Sequence, residues 1–289
     1  MGNTYSKISS IVKSHLYPYI RIKNLSLLSY TFEDFFNHIV EVNQIKVLGH
    51  HFTQKNIEGL ILIDSRGRIS LSYESETPKV RQNFTKCHEL GHFLLGHRGS
   101  FFIELEDKKT VQEETEANYF SACLLMPEIV LLSKIYYSCD SFQKVQDSLE
   151  VSKQALYYRL LDLFRFYSLY TEEQLKHVVE DYINNQNARI HLLFHDIKEK
   201  IIDEFNQYTP SLKDQLQKYI NDKAFVSSQE LPELMNRINW NHLKDDIEYL
   251  KIWLVYNKGK SLAYAWDSTK LSEQEARKKA ELRLLMADD

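Results

Sequence analysis

The sequence predicts an α+β protein, mostly helical, with two short hairpins. Three observations carry this. Apolar residues recur at helical spacing along most of the chain, and two stretches switch to short β-branched and aromatic runs around turn residues. The segment HELGH at 88–92 lies inside one of the helical patterns.

At 289 residues the chain is long enough for one large domain or two to three smaller ones. A formal charge of −4 with mixed signs lacks the basic footprint of a phosphate-gripping protein. The longest apolar stretches, such as 60–63, are of strand length, so no conventional membrane span is expected. Cys87, Cys123 and Cys139 are few and odd in number, which favours a reducing, cytoplasmic setting over a disulfide framework.

The opening is helical, with Asn3, Thr4 and Ser6 as candidate N-caps before Ile8, Ile11 and Val12. Residues 1–6 also fit the short myristoylation pattern at Gly2, but that pattern is so permissive that the ordinary helix start is preferred. Residues 58–64 and 69–73 form a hairpin around the turn 65–68. Pro78 opens a helix whose apolar residues run from Val80 to Leu94, with Gly96 and Gly99 as breakers. After a polar connection at 107–110, a second helix spans 111–125 and stops at Pro127.

Helices at 142–149 and 153–166, separated by Glu150-Val151-Ser152, suggest a helix-turn-helix unit. The last third is mainly helical, with a second hairpin at 251–256 and 261–266. The segments expected are therefore 1–130, 131–172 and 173–289, the last without an assignable role.

On a helix, residues four apart share a face, so His88 and His92 can present two imidazoles to one cation, with Glu89 beside them. Zn²⁺ accepts imidazole nitrogen and carboxylate oxygen, and activates a water whose proton a neighbouring carboxylate such as Glu89 can take. The spacing alone is moderately specific. Its place in a helix, after a hairpin suited to lining a peptide cleft and before an acidic cluster, strengthens it. An extended substrate strand is expected to add to an edge of the sheet near 69–73.

The third ligand must come from elsewhere, and the cluster Glu113-Glu114-Thr115-Glu116 is the nearest source. Glu114 shares a helical face with Asn118, whose amide could orient a histidine from behind; Glu116, about 160° away, reads as a solvated acid. Glu116 and a group elsewhere in the chain remain the alternatives.

Other residues weigh less. His97, past Gly96, could shape the cleft or assist an oxyanion, though a histidine near a helix C-terminus is favoured by the dipole in any case. His191 and His195 stand four apart without an acid suitably placed between them, and Cys87 points away from the histidine face. The second helix of the helix-turn-helix unit carries Lys153, Arg159 and Arg165 among many leucines, a weak basis for DNA binding.

The motifs resemble those of the ImmA/IrrE metallopeptidases, whose hallmark is HExGHxxLxH or similar, followed by an ExxAN element running into FAxxLLMP. This chain has His88-Glu89-Leu90-Gly91-His92 and then Glu114-Thr115-Glu116-Ala117-Asn118-Tyr119-Phe120-Ser121-Ala122-Cys123-Leu124-Leu125-Met126-Pro127. Residues 79–127 carry the match well, and 151–160 look like the family's following helical element. Ser121 departs from the usual alanine. The resemblance implies a zincin-like, gluzincin-type peptidase domain with a small sheet and Glu114 as third ligand. It also implies cleavage of a helix-turn-helix repressor, relieving repression of a mobile element or stress response. A zinc-containing regulator that does not cut, and a DNA-binding regulator, are the rival expectations.

Overall fold

The computed structural model describes residues 2–52, 58–97, 111–257 and 259–286. The chain divides into two compact units, Met1–Tyr208 and Thr209–Asp289.

In the first unit, α1 (Gly2–Lys23) and α2 (Phe32–Val42) precede a sheet of β1 (Lys46–His50), β2 (Gly59–Ile63) and β3 (Ile69–Glu74). The helices α3 (Lys79–Leu95), α4 (Val111–Leu125), α5 (Glu128–Leu131), α6 (Phe142–Ser148), α7 (Lys153–Tyr167), α8 (Glu172–Ile183) and α9 (Ala188–Gln207) follow.

The first hairpin forms where the alternation predicts it, with Ile63 opposite Ile69. Asp64 closes its turn by accepting the backbone N–H groups of Arg66 and Arg68 at 2.8 and 3.0 Å, and Gly67 supplies the left-handed residue at φ 76°. Strand β1 was not foreseen. It joins β3 in parallel, Val47 opposite Leu71, a non-local pairing that no turn signal announces.

The strand order β1-β3-β2 corrects one expectation. Residues 69–73 lie in the central strand, hydrogen-bonded on both sides, and cannot accept an added peptide strand; among the described residues the edge strands are β1 and β2.

Helix α3 begins directly after Pro78 and ends at Gly96, whose left-handed backbone (φ 69°) turns its N–H back onto the carbonyls of His92 and Phe93. Gly99 and the connection at 107–110 lie outside the described residues. Past α4 the chain resumes helical structure at α5 and continues into a π-helical turn, Leu132–Tyr137. By length and composition the helical run Val111–Tyr137 could cross a membrane, which the sequence reading did not anticipate, yet 78% of its most apolar stretch is buried inside the protein.

Ile129, Val130, Leu131 and Leu132 are all buried, so no exposed linker stands near 130. One apolar core runs from Tyr5 and Ile8 through Val145 and Leu160 to Ile201, and the boundaries expected at 130 and 172 both fall inside this unit. Helices α6 and α7 occupy the predicted positions, capped by Ser141 and Ser152.

The second unit contains α10 (Leu212–Lys223), β4 (Phe225–Ser227), α11 (Trp240–Asp246), β5 (Leu250–Asn257), β6 (Lys260–Asp267) and α12 (Glu273–Met286). The predicted hairpin is present as β5 and β6, and β4 pairs on the other side of β6. Being central, β6 buries both faces: Ala263 and Ala265 join one apolar cluster, while Leu262, Tyr264 and Trp266 pack in a second with Ala276 and Ala280 of α12.

The first unit is also held by a buried polar cluster. Glu128 (1% exposed) accepts from Tyr5 Oη at 2.8 Å and Tyr167 Oη at 2.6 Å, and faces Lys13 at 2.7 Å and Arg159 at 3.4 Å. Arg159 also donates to Tyr5 and to the Met126 carbonyl, joining α1, α7 and the start of α5. Burial alone would raise the Glu128 pKa, but the charges of Lys13 and Arg159 and the hydrogen bonds from Lys13 and Tyr167 outweigh it and bring it from 4.5 to about 2. A carboxyl whose folded pKa is depressed contributes fully above its unfolded value, so this support is complete above about pH 4.5 and is lost as the pH falls through about 2. We expect Glu128→Gln to lower stability by about 3 kcal/mol in denaturant unfolding at pH 7, because it removes the counter-charge of the buried Arg159 and leaves Lys13 with Glu204 alone. The gap between parent and variant should narrow as the pH drops below 4.5; a gap that does not change down to pH 3 would show that the carboxylate charge is not what is lost.

Candidate metal centre

Helices α3 and α4 run antiparallel in close contact, and small residues permit it. A Cβ on Gly91 would meet the Phe120 side chain at 3.0–3.1 Å, tighter than ordinary packing. Ser121 donates its hydroxyl to the Phe84 carbonyl at 3.0 Å. This residue, a departure from the usual alanine, ties the two helices together.

This packing sets His92 against Glu114 and His88 against both Glu114 and Asn118. The two Nε2 atoms lie 3.0 Å apart, and the Glu114 carboxylate stands 3.2 Å from His88 Nε2 and 3.3 Å from His92 Nε2. Among the described residues this is the one group of three side chains whose donor atoms converge closely enough to hold a metal ion. Two imidazole nitrogens and a carboxylate oxygen suit zinc in a site that keeps a position open.

The far sides of both rings are fixed. Asn118 Oδ1 can only accept, so at 3.1 Å it accepts a hydrogen bond from His88 Nδ1–H, which leaves the Nε2 lone pair facing the cluster. The sequence placed Asn118 in this role.

Residues 40–161 match the model of the Peptidase_M78 family, described as the IrrE N-terminal-like domain. Over these residues the chain is similar to the IrrE N-terminal-like peptidase family. No curated protein matches the chain. The matched stretch runs from within α2, which begins at Phe32, into α7, which ends at Tyr167, and contains all three converging side chains.

Within this stretch His92 has its own support, which sequence reasoning missed. Its Nδ1 lies 2.8 Å from His97 Nδ1, and His97 Nε2 lies 3.1 Å from Glu116 Oε2. One assignment of protons satisfies the whole row: His92 donates to His97, and His97 donates to Glu116. It leaves His92 Nε2 bare toward Glu114.

Glu116 is therefore not the solvated acid expected. It is 7% exposed, and the Gln112 amide, followed by His97 and Lys7, holds its carboxyl below the ordinary range against the opposing effect of burial. His97, 6% exposed, backs His92 and does not line the cleft. The available signal was Gln112 four residues before Glu116 on one helical face, matched to a histidine just past the end of α3.

Glu89 is 3% exposed, and strand β2 reaches it through a glycine. A Cβ on Gly59 would lie 2.4 Å from Thr85 Cγ2, 2.9 Å from Glu89 Cγ and 3.0 Å from its Oε1, so only glycine lets the strand approach this face of α3 and its carboxylate. Cys87 packs in the core, burial raising its thiol pKa well above the usual value, as its helical position predicts. His195 meets the Tyr136 hydroxyl at 2.8 Å, and neither it nor His191 joins the converging group.

His88→Ala or His92→Ala should leave purified protein with little bound zinc. Competition with a chelator should rank Glu114→Gln as the next weakest, with Asn118→Ala, His97→Ala and Glu116→Gln each losing about 10 to 100-fold in affinity. Parental affinity in both His97→Ala and Glu116→Gln would remove the supporting role given to that pair.

Proposed function

We propose that the chain is a zinc endopeptidase with His88, His92 and Glu114 as metal ligands and Glu89 as general base. The observation that carries this reading is the convergence of those three donors with the buried Glu89 carboxylate adjacent on α3 and, among the described residues, the edge strand β2 against it. Zinc in this site would polarise the scissile carbonyl and make a water nucleophilic near neutral pH. Glu89 takes the proton of the attacking water and delivers it to the leaving amine. Asn118 and the His97–Glu116 pair hold the two imidazoles in the tautomers that coordination needs. The peptide lies extended along the edge strand β2, where Gly59 brings the backbone to Glu89.

For the substrate we adopt a helix-turn-helix repressor in the cytoplasm, on the strength of the family resemblance; the three unpaired thiols agree with a reducing compartment. The rival of direct DNA binding is weakened by α7, because Arg159 is buried against Glu128 and Arg165 is paired with Asp162 and Glu172.

Co-expression with a candidate helix-turn-helix repressor from the neighbouring locus tests the reading. Glu89→Gln should keep its zinc and its grip on the substrate but cut at least 10²-fold more slowly, the usual worth of general acid–base help. Gly59→Val should also retain zinc and lose cleavage. Cutting by Glu89→Gln at the parental rate would exclude the mechanism, whereas equal relief of repression by both forms without cleavage would favour a non-cutting regulator.

A further inference from the structure

A cleft of about 700 Å³ opens beside the metal centre, between α3, α4 and α7. Its apolar wall is formed by Val80 and Phe84 of α3, Ala122 and Leu125 of α4, and Ala155 and Tyr158 of α7. Its near end is Asn118, the residue hydrogen-bonded to His88. Phe84 stands one turn before His88 on α3 and Asn118 one turn after Glu114 on α4, so the cleft begins roughly 5 Å along the helices from the metal donors. An extended peptide rises about 3.3 Å per residue, so the side chain that reaches it belongs to a residue at or next to the scissile bond.

The charged residues on the lining decide what fits. Arg81 is engaged by Glu58 at 2.5 Å, Asp162 by Arg165 at 2.7 Å, and Arg159 by Glu128 and Tyr5. Each already has its counter-charge, so the cleft offers no unanswered charge to a guest, while its size falls within the roughly 300–1,000 Å³ of ordinary ligand sites. We propose that this cleft is the specificity pocket of the peptidase and takes a large apolar side chain, aromatic or branched aliphatic, flanking the cleaved bond. This rests on the peptidase reading given above.

Hydroxamates separate the two ideas, because the hydroxamate group reports on the metal and its substituent on the cleft. Acetohydroxamate and a benzyl-substituted succinyl hydroxamate are titrated into the zinc-loaded full chain by calorimetry, with Ala122→Phe and Ala155→Phe as two independent ways of filling the cleft. The parent should bind the benzyl compound at least 10-fold more tightly than acetohydroxamate. Both substitutions, or whichever of them folds with full zinc content, should bring that ratio close to one while leaving acetohydroxamate affinity as it was. A parental ratio near one, or a ratio that survives the filling substitutions, overturns the pocket and leaves the metal site standing. Failure of every hydroxamate to bind the zinc-loaded chain overturns the metal-site reading itself, and the pocket with it.

Discussion

The close antiparallel contact of α3 and α4 is the constraint on which the rest of the site depends. Two histidines four apart on one helix supply only two donors; the third must arrive from another segment at hydrogen-bonding distance. Gly91 gives up its side chain so that Phe120 can lie against the helix, and Ser121 anchors to the Phe84 carbonyl one turn before His88. With those contacts made, Glu114 meets both Nε2 atoms and Asn118 meets the other side of His88. A looser contact would forfeit the converging geometry while leaving every residue of the motif in place.

The outer supports of the two histidines differ, and the difference has a physical reason. His88 lies near the surface and is held by a neutral amide, whereas His92 is fully buried and is backed by a second imidazole and a buried carboxylate. A buried Glu116 is acceptable only because Gln112, His97 and Lys7 all answer it. Lys7 comes from α1, outside the family match, so a segment with no sequence signal of function helps to hold the carboxylate behind His92.

The segment read as a helix-turn-helix unit has the right helices and caps, but its side chains serve the interior. Arg159 spends its guanidinium on Glu128, Tyr5 and the Met126 carbonyl, and the leucines of α7 complete the core shared with α1 and α9. The same helix presents Ala155 and Tyr158 to the cleft that Asn118 also lines. Its amphipathic pattern, read as a separate element, is thus a wall of the first unit.

The sequence by itself determined the local elements and the chemistry along one helix. Both hairpins, the span of α3 with its Gly96 stop, and the shared face of His88 and His92 follow from periodicity and turn residues over a few positions. The resemblance in motifs pointed to the family whose model matches residues 40–161. Only the tertiary structure decided what depends on distant partners. Strand β1 pairs in parallel with β3 and makes 69–73 central, which leaves β2 as the edge strand beside Glu89 among the described residues. Glu116 and His97, each unremarkable along the chain, become one buried pair behind His92. Periodicity reports which way a side chain points from its own backbone; it carries no information about which other segment will stand opposite, and the carboxylate behind His92, the strand over Glu89 and the cleft beside Asn118 are all questions of that second kind.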